Sequence, residues 1–373
     1  MALTDQFSAF AQWRGDVSHS IQHLRAWLTN NDVGDTQSDM RLQYVLDRLK
    51  EEKLVVAFVA EFSRGKSELI NAIFFSDYRT RILPSSAGRT TMCPTELQWE
   101  NGQQPGIRLL PIETRARAES VAELRRIESE WVMQPIDLDD TEGMQRALSR
   151  VSETKRVPRE EAVRLGFQVD DSGVDGAKPD AEGLVEVARW RHAIIQFPHP
   201  LLEQGLVIVD TPGLNAIGSE PELTLSLLPN AHAVLFILAA DTGVTQSDLT
   251  VWQKHVNAGR GHTRGRVVVL NKIDGLWDGM RSDAEIKAEI DKQVESVAET
   301  LAIDSDLIFP VSAQKALLAR VSRDAPLLQR SRVMRLENAL SSELLPGRQQ
   351  LLRESSAGEC GDILRRSGEL LNA

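Results

Sequence analysis

One stretch, LVVAFVAEFSRGKSELINAIFF from Leu54 to Phe75, constrains this chain more than any other. It reads as an apolar strand, a tight loop and a helix in immediate succession. The loop ends in Gly65-Lys66-Ser67, the closing half of the pattern G-x-x-x-x-G-K-[ST]. In that pattern, backbone N–H groups surround the α- and β-phosphates of a nucleotide, the lysine reaches the β- and γ-phosphates, and the hydroxyl sits on Mg2+. Ala60 stands where the pattern has its first glycine, a position usually given to glycine for backbone freedom. Taken alone, the motif does not separate this reading from an ordinary strand–turn–helix with a surface lysine. Three later motifs do.

A chain of 373 residues is long enough for one large domain with appendages. The formal net charge of −11 argues against a general electrostatic grip on nucleic acid, so no direct nucleic-acid binding is expected. Cys93 and Cys360 are far apart and lack metal-site spacing, which points to a reducing cytoplasm and to no zinc. The first residues are polar and mixed, unlike a signal peptide, and no apolar run approaches the roughly 20 residues of a spanning helix. A cytoplasmic chain is expected, with any peripheral membrane association coming from regions absent here.

Residues 1–32 carry Phe7, Phe10, Trp13, Val17, Ile21, Leu24 and Leu28 at steps of three or four, one apolar stripe of an amphipathic helix. A second helix carries Leu42, Val45, Leu46 and Leu49. Near the other end, Val333, Leu336, Leu340 and Leu344 form a further stripe interrupted by Pro346-Gly347, and Gln349–Leu371 resembles the start of another helix. The stripes fit either packing against the main domain or a short bundle joining both chain ends.

Between these flanks, LPSSAGRTTMCPTELQW from Leu83 to Trp99 is a polar, proline-broken loop leading into a strand. Thr90 and Thr91 are candidates to reach Mg2+ and the γ-phosphate. Residues 103–184 read as an insertion, with helices over 114–131, 141–152 and 158–166 and a loop over 170–183. In 114–131, Val121, Leu124, Ile127 and Trp131 share a face. A β pattern resumes at Leu184–Phe197. GLVIVDTPGLNAIG then delivers Asp210 at a strand end, suited to a Mg2+-bound water, and Gly213, whose N–H can approach a γ-phosphate. His232–Ala240 is a short apolar strand of the kind buried in parallel sheets. Arg266–Leu270 delivers Asn271-Lys272-Ile273-Asp274, in which Asp274 can accept from guanine N1–H and its 2-amino group. Asn271 braces the loops, and the stem of Lys272 covers the base. Val311-Ser312-Ala313 could offer backbone to the guanine O6. Four motifs in this order, each at the carboxyl end of an expected strand, predict a guanine-nucleotide site at the edge where open α/β sheets bind ligands.

These residues resemble the dynamin superfamily, particularly bacterial dynamin-like proteins. The resemblance rests on F-S-R-G-K-S-E-L-I-N-A-I at 62–73, L-P-x-x-x-G-x-T-T-x-x-P-T from Leu83 to Thr95, Asp210-Thr211-Pro212-Gly213-Leu214 and Ala240-Asp241. It covers roughly residues 50–320 apart from the insertion. It implies an α/β fold, a P-loop GTPase domain with a mostly parallel central sheet flanked by helices, plus a short helical bundle from the terminal segments. The implied division is 1–50 and 321–373 as neck helices around a GTPase domain at 51–320. Carried over by position, Lys66, Ser67, Thr91, Ser63 and Gly213 are the catalytic candidates. Nucleotide contacts fall to Ala60, Glu61, Phe62, Ser63, Arg64, Gly65, Lys66, Ser67, Asp210, Gly213, Asn271, Lys272, Asp274, Ser312 and Ala313. Ser67, Thr91 and, through water, Asp210 would hold Mg2+, and Ser63 a K+ or Na+ ion. Leu214 stands where Ras-type switches keep glutamine, so water would be positioned by backbone and Thr91. The resemblance further implies GTP hydrolysis stimulated by dimerisation across the nucleotide face, with a second copy or a paralogous partner, coupled to bundle movement and membrane remodelling. Arg64 could act in trans there, although an exposed loop arginine is more often solvated. The alternatives are a nucleotide-binding scaffold with weak hydrolysis and a regulatory GTPase that does not act on membranes.

Overall fold

The computed structural model describes residues 3–31, 36–51, 53–61, 63–76, 83, 93–167, 169, 179–212, 228, 231–256, 266–340, 357–358 and 360–365. It divides into two compact units, residues 55–336 and residues 1–54 with 337–373.

The strands of the larger unit begin with β1 (Leu54–Ala60), β2 (Thr95–Gln98), β3 (Gly106–Pro111), β4 (Val132–Pro135), β5 (Thr154–Pro158) and β6 (Leu184–Ala188). They continue with β7 (Trp190–Gln196), β8 (Leu206–Asp210), β9 (Ala233–Ala239), β10 (Arg266–Asn271) and β11 (Ile308–Pro310). Nine of them form one sheet in the order β11-β10-β9-β1-β8-β2-β7-β3-β4, while β5 and β6 pair separately. Along β11-β10-β9-β1 every pairing is parallel. Past β8 the directions mix: β2 is antiparallel to β8 and parallel to β7, and β3 is antiparallel to both β7 and β4.

Continuous apolar runs explain the parallel end. The AVLFILA of β9 is buried at every position, as a strand covered by helices on both faces must be. Phe236, Leu238, Val268 and Leu270 pack with Trp252 and with Ile286, Ile290 and Val297 of the helix Asp283–Leu301. Ser282 and Glu285 close a capping box at that helix's start, an arrangement worth about 1 kcal/mol. Register fixes the functional edge. Ala60 lies beside Ile237, Asn271 beside Ala239 and Leu270 beside Pro310, so the loops after β1, β9, β10 and β11 leave the sheet together.

The segment 103–184 is less helical than its spacing predicts. In 114–131 the chain makes a 3₁₀ turn at Ile112–Ala116, a single turn at Val121–Leu124 and another 3₁₀ turn at Glu128–Glu130. Ser120 starts a new capped turn with Glu123, and Ile127 is exposed, so no continuous stripe exists. Leu124 and Trp131 instead pack on Leu110 and Ile194, and the Trp131 Nε1–H donates to the Leu124 carbonyl at 2.9 Å. Strands β3 and β4 from this segment extend the main sheet. The helices Thr141–Ser149 and Arg159–Arg164 lie where expected, and residues 170–178 fall outside the described ones. The Leu184–Phe197 pattern splits at Arg189, with β6 pairing β5 and β7 joining the large sheet.

In the smaller unit, α1 (Leu3–Asn30) packs on α2 (Thr36–Glu51). Ile21 and Leu28 of α1, Leu42, Val45, Leu46 and Leu49 of α2, and Ile363 from the other end of the chain share one apolar cluster. Residues 333–340, of which 333–336 belong to the larger unit, are helical, with Val333, Leu336 and Leu340 buried; Leu344, Pro346 and Gly347 fall outside the described residues. No described helix is long and apolar enough to cross a membrane.

Candidate functional site

Helix α3 (Lys66–Phe74) begins directly behind the loop that follows β1. Its inner face, Leu69, Ile70, Ala72, Ile73 and Phe74, is buried and seats it on the fold. Two residues of the preceding loop take left-handed backbone, Ser63 at φ 60° and Gly65 at φ 83°. At Gly65 glycine is also needed for space, because a Cβ there would meet Asn271 Nδ2 at 2.4 Å. Ala60 is not among the left-handed residues. It ends β1 in register with Ile237, so the substitution of the pattern's first glycine carries no backbone strain.

Lys66 and Ser67 are buried at the start of α3, where unpaired helix N–H groups favour an anion. Asp210 is buried at the end of β8, and its Oδ1 lies 2.6 Å from Lys66 Nζ. Lys66 also donates to the Thr211 carbonyl. Thr211, which spacing alone did not single out, returns its hydroxyl to the Phe58 carbonyl at 2.8 Å and so fixes the Asp210–Pro212 turn against β1.

Asn271 joins three loops. Its Nδ2 donates to the Arg64 carbonyl at 2.8 Å, and its Oδ1 accepts from the Ala313 N–H at 3.0 Å. Its own carbonyl accepts from Ala240 N–H at 2.8 Å. These bonds tie the loop after β10 to the loops at Arg64, Ala240 and Ala313. The Ala313 N–H is the one that Asn271 Oδ1 holds. Ser312 caps the helix Ala313–Ser322 and donates its hydroxyl to Asp274 Oδ1 at 2.6 Å, which orients that carboxylate. Lys272, in left-handed backbone at φ 64°, reaches Asp241 Oδ2 at 3.1 Å. Burial works against the charge on Asp241, but hydrogen bonds from Thr242 and Lys272 and the nearby Arg64 outweigh it and hold the carboxyl below its ordinary range.

Arg64 is placed differently from the solvated loop arginine of the sequence reading. Only 5% of it is exposed, and its Nη2 meets Glu61 Oε2 at 2.8 Å and Asp248 Oδ2 at 3.3 Å. Asp248 was not foreseen, since nothing in its local spacing marks it. Asn71 was missed as well: its side-chain amide pairs in both directions with Leu83, at 2.9 and 3.0 Å, and pins the root of the threonine-rich loop to α3. The only available signal was a polar residue on the buried face of a helix. Phe62, Thr90, Thr91 and Gly213 lie outside the described residues.

A sequence model of the Dynamin family matches residues 56–273, more than half of the chain. The chain belongs to the dynamin family. This dynamin-family chain is 36% identical over 90 residues to the bacterial dynamin-like protein of Nostoc punctiforme, covering 24% of this chain and 12% of that one. It is 30% identical over 136 residues to the probable transmembrane GTPase FZO-like, chloroplastic, of Arabidopsis thaliana, covering 35% and 13%. It thus spans a small part of the length of these curated relatives. In fold it is similar to a solved oligomerised bacterial dynamin pair, described as a mechanism for long-range sensing and tethering of membranes. The TM-score is 0.58 at 18% identity, over 97% of this chain and 47% of that one.

The dynamin family implies guanine nucleotide and, typically, Mg2+. The residues present fit both. Left-handed backbone at Ser63 and Gly65 is a feature of the loops whose N–H groups bind anions. Ser67 and Asp210 are hard oxygen donors beside it, and Mg2+ in nucleotide sites takes few protein ligands.

Proposed function

We propose that this chain binds GTP at the edge formed by the β1, β8, β10 and β11 loops and hydrolyses it to GDP and phosphate. The observation that carries the reading is the Asn271 side chain, which ties the phosphate loop at Arg64 to the loop at Ala313 while Ser312 aims Asp274. This linkage supports a phosphate site and a base site that act as one unit.

Phosphate oxygens arriving at the start of α3 compete with Asp210 for the Lys66 ammonium, 2.6 Å away from that carboxylate. Ser67, Thr91 and, through water, Asp210 are the residues to hold Mg2+. Bound there, the ion offsets charge on the β- and γ-oxygens. Gly213 and Thr91 orient the attacking water, and Ser63 contributes to a K+ or Na+ site. Asp274 accepts from the guanine N1–H and 2-amino group, an arrangement adenine cannot satisfy, while the Lys272 stem covers the base. Ser312 and Ala313 border it.

We further propose that 51–320 act as the GTPase domain and that the 1–50 and 321–373 helices move in response. Pairing of two copies, or of this chain with a paralogue, across the nucleotide face orders the switches. The similar bacterial dynamin pair is described as a mechanism for sensing and tethering membranes, and membrane remodelling is the cell role proposed for this chain.

GTP turnover per molecule, measured over a range of protein concentrations with K+ or Na+ present, tests the reading. Specific activity rises with concentration, and Thr91→Ala abolishes it. Flat, near-zero turnover despite tight GTP binding replaces the enzyme with a nucleotide-binding scaffold.

A further inference from the structure

Arg64 is held at both ends. Its carbonyl accepts from Asn271 Nδ2 at 2.8 Å. Its guanidinium is drawn the other way, into the fold, by Glu61 and Asp248 at 2.8 and 3.3 Å. Those carboxylates are fixed in turn. Asp248 Oδ2 accepts from the Thr245 hydroxyl at 2.7 Å and from the Thr245 N–H at 2.9 Å, closing a capping box on the helix Gln246–Val251. Glu61 Oε1 accepts from the Ser247 hydroxyl at 3.1 Å. Asp248 is fully buried, and its Oδ1 has no hydrogen-bond partner among the described residues. The arginine also sits between the two left-handed residues that shape the loop, Ser63 and Gly65.

We propose that Arg64 is the positioning residue of the phosphate loop, anchoring its two left-handed turns to the Thr245–Asp248 segment and cancelling the charge of Glu61 and Asp248 beside the polyphosphate. This rests on the GTP-binding reading. A guanidinium spent on two internal carboxylates is not presented to the nucleotide of a second copy. Without it, Glu61 and Asp248 stand unneutralised next to an incoming polyanion, and each desolvated carboxylate opposes its binding. Neutralising Asp248 as well therefore relieves part of the damage, which a loss of packing alone would not allow.

Titration of wild-type, Arg64→Met, Arg64→Lys, Asp248→Asn and Arg64→Met/Asp248→Asn chains with GDP and GTP tests this, alongside turnover at saturation and thermal melts. Arg64→Met weakens both nucleotides by on the order of tenfold, a larger change than in saturated turnover. Arg64→Lys falls between it and wild type, because it keeps the positive charge on a shorter, more strongly hydrated head. The double variant binds more tightly than Arg64→Met alone. Asp248→Asn keeps an acceptor for the Thr245 cap and costs less, so it reports even where Arg64→Met fails to fold. Unchanged affinity with lost turnover, restored on mixing Arg64→Met with Lys66→Ala chains, overturns the inference in favour of an arginine supplied in trans. Unchanged affinity and turnover also overturn it. A wild-type chain that binds neither nucleotide contradicts the GTP reading itself.

Discussion

Near the parallel end of the sheet, Lys66 meets Asp210 at 2.6 Å; on the mixed side, Arg125 meets Glu96 at 2.7 Å. Each pairs a carboxylate on a strand of the large sheet with a cation from outside it, but their settings differ. Glu96 lies mid-strand on β2, between Val209 of β8 and Ile194 of β7. Its carboxylate is shared by His192 at 2.9 Å and two Arg125 nitrogens at 3.3 and 2.7 Å. Lys66 and Asp210 sit instead at a helix start and a strand end, among loops pinned by Asn271 and Thr211. The first arrangement is closed on itself and serves the fold. The second places a movable cation where helix N–H groups converge. Buried charge alone therefore does not mark a site; its position at the carboxyl edge does.

The largest expected effect falls on the closed cluster. Glu96→Ala strands His192 and Arg125 and costs about 3–5 kcal/mol of stability in urea unfolding, with GTP affinity changed by less than about twofold. A matching loss of GTP affinity would erase the distinction. The same cluster has a pH signature. Burial pushes the Glu96 carboxyl up, but the hydrogen bond and charge of His192 and then Arg125 outweigh it and hold it at about 2. The folded carboxyl is below its unfolded value, so its contribution is complete above the ordinary carboxylate range and is lost as pH falls toward about 2. The stability gap between wild type and Glu96→Ala accordingly narrows over that window.

Lys66→Ala acts on the other side of the comparison. It lowers GTP and GDP affinity by on the order of a hundredfold in fluorescent-nucleotide titrations, beyond any loss in melting temperature. Retained affinity would return Lys66 to a purely structural pair with Asp210. The smallest effect concerns Ala60. Since it ends a strand with ordinary backbone, Ala60→Gly leaves turnover within about twofold and costs roughly 0.5–1 kcal/mol. A tenfold rise in turnover would show that the alanine limits hydrolysis.

Where a signal was local, the sequence carried it. The strands β1, β8, β9 and β10 are short apolar runs that end in Ala60, Asp210, Ala239 and Asn271, and their motifs fall at the shared edge. The α1 stripe likewise predicted a helix that packs, and its partners came from α2 and from Ile363. What was illegible depends on distant partners. Arg64 and Asp248 are 184 residues apart, and Glu96 and His192 are 96 apart, so their pairing emerges only when the sheet forms. The helix expected over 114–131 failed for a different reason: Ser120 restarts the backbone there, and Ile127 faces outward despite its spacing.

The central claim, that Asn271, Ser312 and Asp274 build a guanine-specific pocket onto the phosphate loop, is tested most directly by base choice. Binding of GTP and xanthosine triphosphate is compared in wild type and Asp274→Asn. The substitution weakens GTP and improves xanthosine triphosphate, because the amide now offers a donor to the 2-oxo group. An unchanged preference would contradict the assignment of Asp274 and the pocket built around it.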